Sequence, residues 1–206
     1  SKSAVVFESK KIYEDKIPSW IQNFLRAKQL TITPKASSML TEFLGNDLSK
    51  IANELTKLEL VVGTHKEVTP EIIEENIGIS KDFNNFELQK ALGHLNHKKA
   101  YQIVNYFAQN SKQHPFVLTI SILYMYFSKL MKLHTVRDKN PGTVARALGV
   151  NPYFVNEYIT ASRNFPMKRI SGVLETLRIY DTKSKGVGAN LSPRDLYNEL
   201  IYNILK

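Results

Sequence analysis

Four times along this chain a small polar residue stands directly before a proline: Thr33-Pro34, Thr69-Pro70, Asn151-Pro152 and Ser192-Pro193. The side-chain oxygen of the first residue can accept a backbone N–H of the turn that follows. The proline lacks only an N–H that the first helical turn cannot use. Each pair therefore marks a helix start, at 34, 70, 152 and 193. Asp195, three residues after Ser192, makes the last of them approximate a capping box. A chain punctuated in this way is committed to helices before any tertiary contact is considered.

The stretch from Leu44 to Leu60 adds a sharp corner. Gly45 can take a backbone conformation that ends one helix, and Asn46 or Asp47 can cap the next. Leu48, Ile51, Ala52, Leu55 and Leu58 then recur at three- and four-residue spacing, so one stripe of the new helix is buried. Gly45, Asn46 and Asp47 form a structural corner, a packing device with no chemistry of its own.

Periodicity and capping predict a first group of helices over 18–28, 34–44, 47–60 and 70–77. In the first of these, Trp20, Ile21, Phe24 and Leu25 form the apolar face. A polar joint, Ser80-Lys81-Asp82, follows, and Asn84 or Asn85 can cap the next helix. The second group is expected over 86–93, 97–110, 115–134, 141–148, 152–164, 167–181 and 193–205. Val5, Val6 and Phe7 read as the last strand of something upstream, and Ser184–Asn190 as a flexible loop. The fold class is all-α. With 206 residues, 43% of them apolar, there is enough material for a core in each of two bodies.

Charge divides at the same joint. Residues 1–82 hold 11 Lys/Arg against 12 Asp/Glu, while 83–206 hold 17 against 7. From Leu88 to Arg137 there are seven basic residues and no acid. Such a surface attracts phosphates or an acidic neighbour. Lys98, Lys99, Lys112, Arg137, Arg146 and Arg163 are the candidate groups facing an anion, DNA or a protein partner.

Catalytic chemistry is hard to place. There is no Gly-x-x-x-x-Gly-Lys-Ser/Thr phosphate loop, and Gly186-x-Gly188 lacks a third glycine and a preceding strand. There is no cysteine, which removes disulfides and Cys-based zinc sites. His94, His97 and His114 have no carboxylate between Leu88 and Arg137 to complete a metal set. Glu71, Glu74 and Glu75 follow Pro70, where they complement the positive helix end. No catalytic, cofactor-binding or metal residue is nominated. The longest apolar run, Phe116 to Phe127, falls short of the roughly 18 residues a bilayer span needs. The chain begins with Ser and has no charged-then-apolar leader, which points to a trimmed chain and away from secretion.

Thr143 to Val155 has the rhythm of a helix-turn-helix, with Ala145, a turn glycine at 149 and Val155 in the second helix. A DNA reader would expose polar side chains at the start of that helix. Here it opens Pro152-Tyr153-Phe154-Val155. A packed corner is the stronger reading, and a basic helix-turn-helix-like DNA-binding module is the alternative.

Five segments in order resemble the delta subunit of bacterial DNA polymerase III. Phe7-x-x-x-Lys11 through Pro18-Ser19-Trp20-Ile21, and the Gly45-Asn46-Asp47-Leu48 corner with Asn53-Glu54-Leu55-x-x-Leu58, are similar to its middle domain. Ile79-Ser80-x-x-Phe83-Asn84-x-Phe86, with Leu88 and Ala91-Leu92, resembles the start of its C-terminal domain. Ala147-Leu148-Gly149-Val150-x-Pro152-Tyr153-Phe154-Val155 and Thr176-Leu177-x-x-x-Asp181-x-x-x-Lys185-Gly186 resemble its closing helices.

The resemblance implies a clamp-loader subunit, part of a ring that opens the sliding clamp and loads it onto primed DNA. Residues 12–82 would be a small helical AAA+ lid-like domain and 83–206 a larger helical-bundle collar domain. Residues 1–11 would be the remnant of a missing N-terminal AAA+-like core. Other loader subunits would bind through 83–206, the sliding clamp through the missing N-terminal domain, and primed DNA within the complex. No cofactor, membrane partner or intrinsic catalysis is implied, and the setting would be the bacterial cytoplasm as part of a DNA polymerase holoenzyme. An exposed apolar strip is expected on such a scaffold; Tyr124-Met125-Tyr126-Phe127 is a candidate, though the centre of the bundle is the stronger reading for its helix.

Overall fold

A computed structural model describes residues 12–13, 16–63, 66–188 and 190–206. The readings placed on Val5–Phe7 and on Lys11 lie outside the described residues. The described chain holds eleven α-helices, in keeping with the all-α class, and divides into two compact units that part between Ile79 and Ser80.

In the first unit, α1 (Ile17–Arg26) buries Ile17, Ile21 and Leu25 at four-residue spacing. Trp20 and Phe24, expected on that buried face, are only partly covered and stack on each other at 5.3 Å between ring centroids. Thr33 caps α2 (Pro34–Leu44) by accepting the Ala36 N–H at 3.2 Å. Next, α3 (Leu48–Val62) buries Ile51, Leu55, Leu58 and Val62, with Leu48 and Ala52 half-covered at the edges of the stripe. Thr69 caps α4 (Pro70–Ile77), which contributes Ile73 to the same core. The sequence reading missed one pairing here. Two-residue strands β1 (Thr31–Ile32) and β2 (Glu67–Val68) run parallel, with Thr31 opposite Glu67 and Ile32 opposite Val68. Runs that short carry no alternation to detect.

The corner between α2 and α3 is tighter than a left-handed cap. Gly45 has φ 67° and ψ −143°, a region essentially closed to residues with a Cβ. Of the two capping candidates, Asp47 does the work: its carboxylate accepts the Ser49 and Lys50 N–H groups, both at 3.1 Å.

In the second unit, Asn84 caps α5 (Asn85–Gly93), accepting the Glu87 N–H at 2.9 Å. The bundle continues with α6 (His97–Gln109), α7 (Phe116–Thr135), α8 (Pro141–Leu148), α9 (Val155–Asn164), α10 (Met167–Ser184) and α11 (Pro193–Leu205). A single apolar cluster runs through all seven. At its centre, α7 buries Phe116, Thr119, Ile120, Leu123, Tyr126, Phe127, Leu130 and Leu133. At 20 residues, α7 is long and apolar enough to cross a bilayer by length and composition. The sequence reading stopped this run at Phe127; the core-facing stripe continues past Lys129 and Lys132 to Leu133. Packing in the bundle centre accounts for the buried side of α7.

Polar links lock the helices together where apolar contact alone leaves rotation free. Tyr197 of α11 donates its hydroxyl to the His114 carbonyl at 3.1 Å. With that single hydrogen spent, the Thr119 hydroxyl is the donor in its 2.9 Å contact with Tyr197. Burial pushes the Tyr197 phenol up to about 12. Arg169 of α10 donates to the Asn164, Ile204 and Leu205 carbonyls at 3.1–3.3 Å, satisfying helix-end acceptors that have no donor within their own helix.

Candidate interaction surface

The helix-turn-helix rhythm resolves into a core corner. Gly149 ends α8 in the left-handed region, at φ 63° and ψ 46°. Asn151 accepts the Tyr153 N–H at 2.9 Å, but the turn it caps is a 3-10 turn, Pro152–Phe154, and not the first turn of α9. Phe154 and Val155 are buried. The entry to the second helix thus turns Phe154 and Val155 into the core, where a DNA reader would present side chains to base edges. The DNA-reading alternative is not supported.

The six basic candidates are spread over five places in the fold. Lys98 and Lys99 occupy the first turn of α6, Lys112 follows α6, Arg137 follows α7, Arg146 sits on α8 and Arg163 near the end of α9. Lys99 is half-covered, its ammonium 4.7 Å from the centre of the Phe83 ring, a cation–π contact. The other five side chains are exposed. Unlike Lys90, they reach no carboxylate among the described residues.

Lys90 belongs to a cluster that sequence spacing did not show. Glu157 of α9 reaches across to α5, 3.1 Å from the Lys90 ammonium and 2.6 Å from His94 Nε2. Partial burial pushes the Glu157 carboxyl up, but its hydrogen bonds to His94 and Lys90 outweigh this and hold it below the usual carboxylate range. The hydrogen bond that Lys90 donates to Glu157 is also the main cause holding Lys90 above the ordinary lysine value. His94 is thus part of a helix-to-helix tie. Among the described residues, no three His, Asp or Glu side chains converge as a metal site.

The most distinctive outward feature is apolar. The Tyr124–Phe127 segment splits between two environments, with Tyr126 and Phe127 buried and Tyr124 and Met125 about half exposed, as are Val117 and Leu118. Beside them, an open groove of about 480 Å³ runs between α7 and α10. The groove is lined by Val117, Tyr124 and Met125 on one side and Leu177 and Arg178 on the other. The groove offers shape and apolar contact, and the polar groups on its rim are engaged already: Arg178 pairs with Glu175 at 2.7 Å and Lys185 with Asp181 at 2.7 Å. Such a surface suits association better than chemistry.

Comparison with known proteins agrees with the helical architecture. The structure is similar to that of the Bacillus subtilis DNA clamp loader delta protein (YqeN), with a TM-score of 0.60 and 20% sequence identity, over 99% of this chain and 60% of that one. The DNA polymerase III subunit delta of Bacillus subtilis (strain 168) is 21% identical over 186 residues, which span 89% of this chain and 53% of that protein. The chain thus spans about half the length of the curated relative it matches. Residues 82–192, more than half of the chain, match the family described as DNA polymerase III delta subunit, C-terminal domain. The chain belongs to that family.

Proposed function

We propose that this chain is the scaffold portion of a clamp-loader delta subunit, in which residues 83–206 form a collar domain and 12–82 a lid-like domain. The observation that carries the reading is the apolar strip of α7, turned outward on a helical unit of this family. A face of that kind is what a subunit needs in order to hold neighbours. The collar would bind the other loader subunits. Contact with the sliding clamp is assigned to the part of the relatives' length that this chain does not span. Lys98, Lys112, Arg137, Arg146 and Arg163 would meet primed DNA or the acidic edge of a neighbour within the complex. The subunit would work in the bacterial cytoplasm and contribute no catalysis of its own to the polymerase holoenzyme.

The test is a clamp-loading assay on primed DNA with the remaining loader subunits. Adding the whole protein should restore loading, and the protein alone should turn over no ATP. Loading that proceeds equally well without it would overturn the proposal.

A further inference from the structure

The outward face of α7 has a definite geometry. Val117 and Tyr124 are seven residues apart, as are Leu118 and Met125, so the four form two short parallel ridges on one side of the helix. Ser121 lies between the ridges, and its hydroxyl donates back to the Val117 carbonyl at 3.0 Å. That leaves a small residue, its donor already engaged, ringed by larger apolar ones. The backbone of α7 forms its own helical ladder and offers no edge for a strand. A hole ringed in this way, beside a groove against α10, matches a knob from another helix.

We propose that this groove receives an amphipathic helix from a different protein chain, one whose apolar knob seats over Ser121 and whose flanks carry Asp or Glu. The inference rests on the scaffold reading above and specifies the surface and the partner chemistry. Charge argues for a partner other than a second copy. Residues 83–206 hold 17 Lys/Arg against 7 Asp/Glu, so two copies brought face to face repel, whereas an acid-flanked helix is attracted. Size argues the same way. Four half-exposed side chains offer on the order of 300–400 Å², enough for one helix but about half of the ~800 Å² that each partner buries in a stable dimer.

The experiment uses the full-length protein and the other loader subunits as the probe. Ser121→Trp fills the hole on an exposed face, so folding should be unchanged by circular dichroism and thermal melting. Association with the neighbouring subunit should weaken by about tenfold or more. Tyr153→Trp, on an exposed residue of the α8–α9 corner, should leave association unchanged. Wild-type association should also weaken as salt is raised.

If Ser121→Trp assembles normally while deletion of 80–206 abolishes assembly, the groove proposal falls and the scaffold reading stands. If neither change affects assembly, the scaffold reading itself falls. Self-association of the wild type that Ser121→Trp removes would make a second copy the occupant and overturn the proposal. Co-sedimentation with anionic vesicles that the same substitution abolishes would overturn it in favour of a lipid surface. Salt-insensitive association would overturn the acidic flanks.

Discussion

Gly93 and Ala161 hold α5 against α9 at a separation that admits no side chain between them. A Cβ at Gly93 would lie 2.9 Å from the Ala161 Cβ and 2.5 Å from the Tyr126 hydroxyl. The contact is fixed from a second direction, because Asn164 donates its side-chain amide to the Gly93 carbonyl at 2.9 Å. The tie between Glu157 and the Lys90–His94 edge of α5 depends on the same close approach.

Gly93→Ala should therefore destabilise the second unit by about 1–3 kcal/mol, since α5 or Tyr126 must move to admit the methyl. Gly172, inside α10, is the control: a Cβ there meets nothing within 4 Å. Gly172→Ala should stabilise by roughly 0.5–1 kcal/mol through helix propensity. Urea titrations of the two variants should move the midpoint in opposite directions.

The corner of the first unit makes a separate prediction. Gly45 has open space around it but a positive φ, so Gly45→Ala should cost about 1–3 kcal/mol from backbone conformation alone. Asp47→Ala removes the acceptor for two N–H groups and should cost about 0.5–2 kcal/mol. Asn46→Ala, at an exposed position, should stay within about 0.5 kcal/mol of the parent. Thermal unfolding of the three variants beside the parent reads all three.

Acid should release the Glu157 tie. Its carboxyl is depressed in the folded state, so its contribution is fully present above the ordinary Glu value near pH 4.3. Below that value the unfolded form takes up a proton before the folded one does, and stability falls as pH drops through the depressed value. The side chain is 31% exposed, so the contribution is under about 1 kcal/mol. Glu157→Gln should lower stability at neutral pH and flatten this acid limb. A variant whose pH profile runs parallel to the parent's would remove the tie from the energetics.

The buried hydroxyl pair should show asymmetric costs. Tyr197→Phe strips a partner from both Thr119 and the His114 carbonyl, for roughly 1–3 kcal/mol. Thr119→Val leaves the Tyr197–His114 bond in place and should cost less. In the double variant the two losses should sum to less than the separate values, a coupling that a double-mutant cycle measures directly.

What the sequence made legible was local. Helix starts at 34, 70 and 193 follow from a cap and a proline within two residues, and the structure places α2, α4 and α11 there. At 152 the same signal marked a 3-10 turn, because Phe154 and Val155 are drawn into the core and tighten the first turn. What stayed hidden depends on partners far apart in the chain. Nothing near Gly93 announces Tyr126 or Ala161, and Glu157 lies 63 residues from His94. The interaction face was half legible. A helix as apolar as α7 shows no polar side, so sequence alone grouped Tyr124 and Met125 with the buried Tyr126 and Phe127.

The most direct measurement is the mass of the complex formed by the other loader subunits with the full-length protein and with a version ending at Ile79. Residues 80–206 acting as the scaffold predicts a stoichiometric ring with the first and no incorporation of the second. A ring of the same mass from both would contradict it.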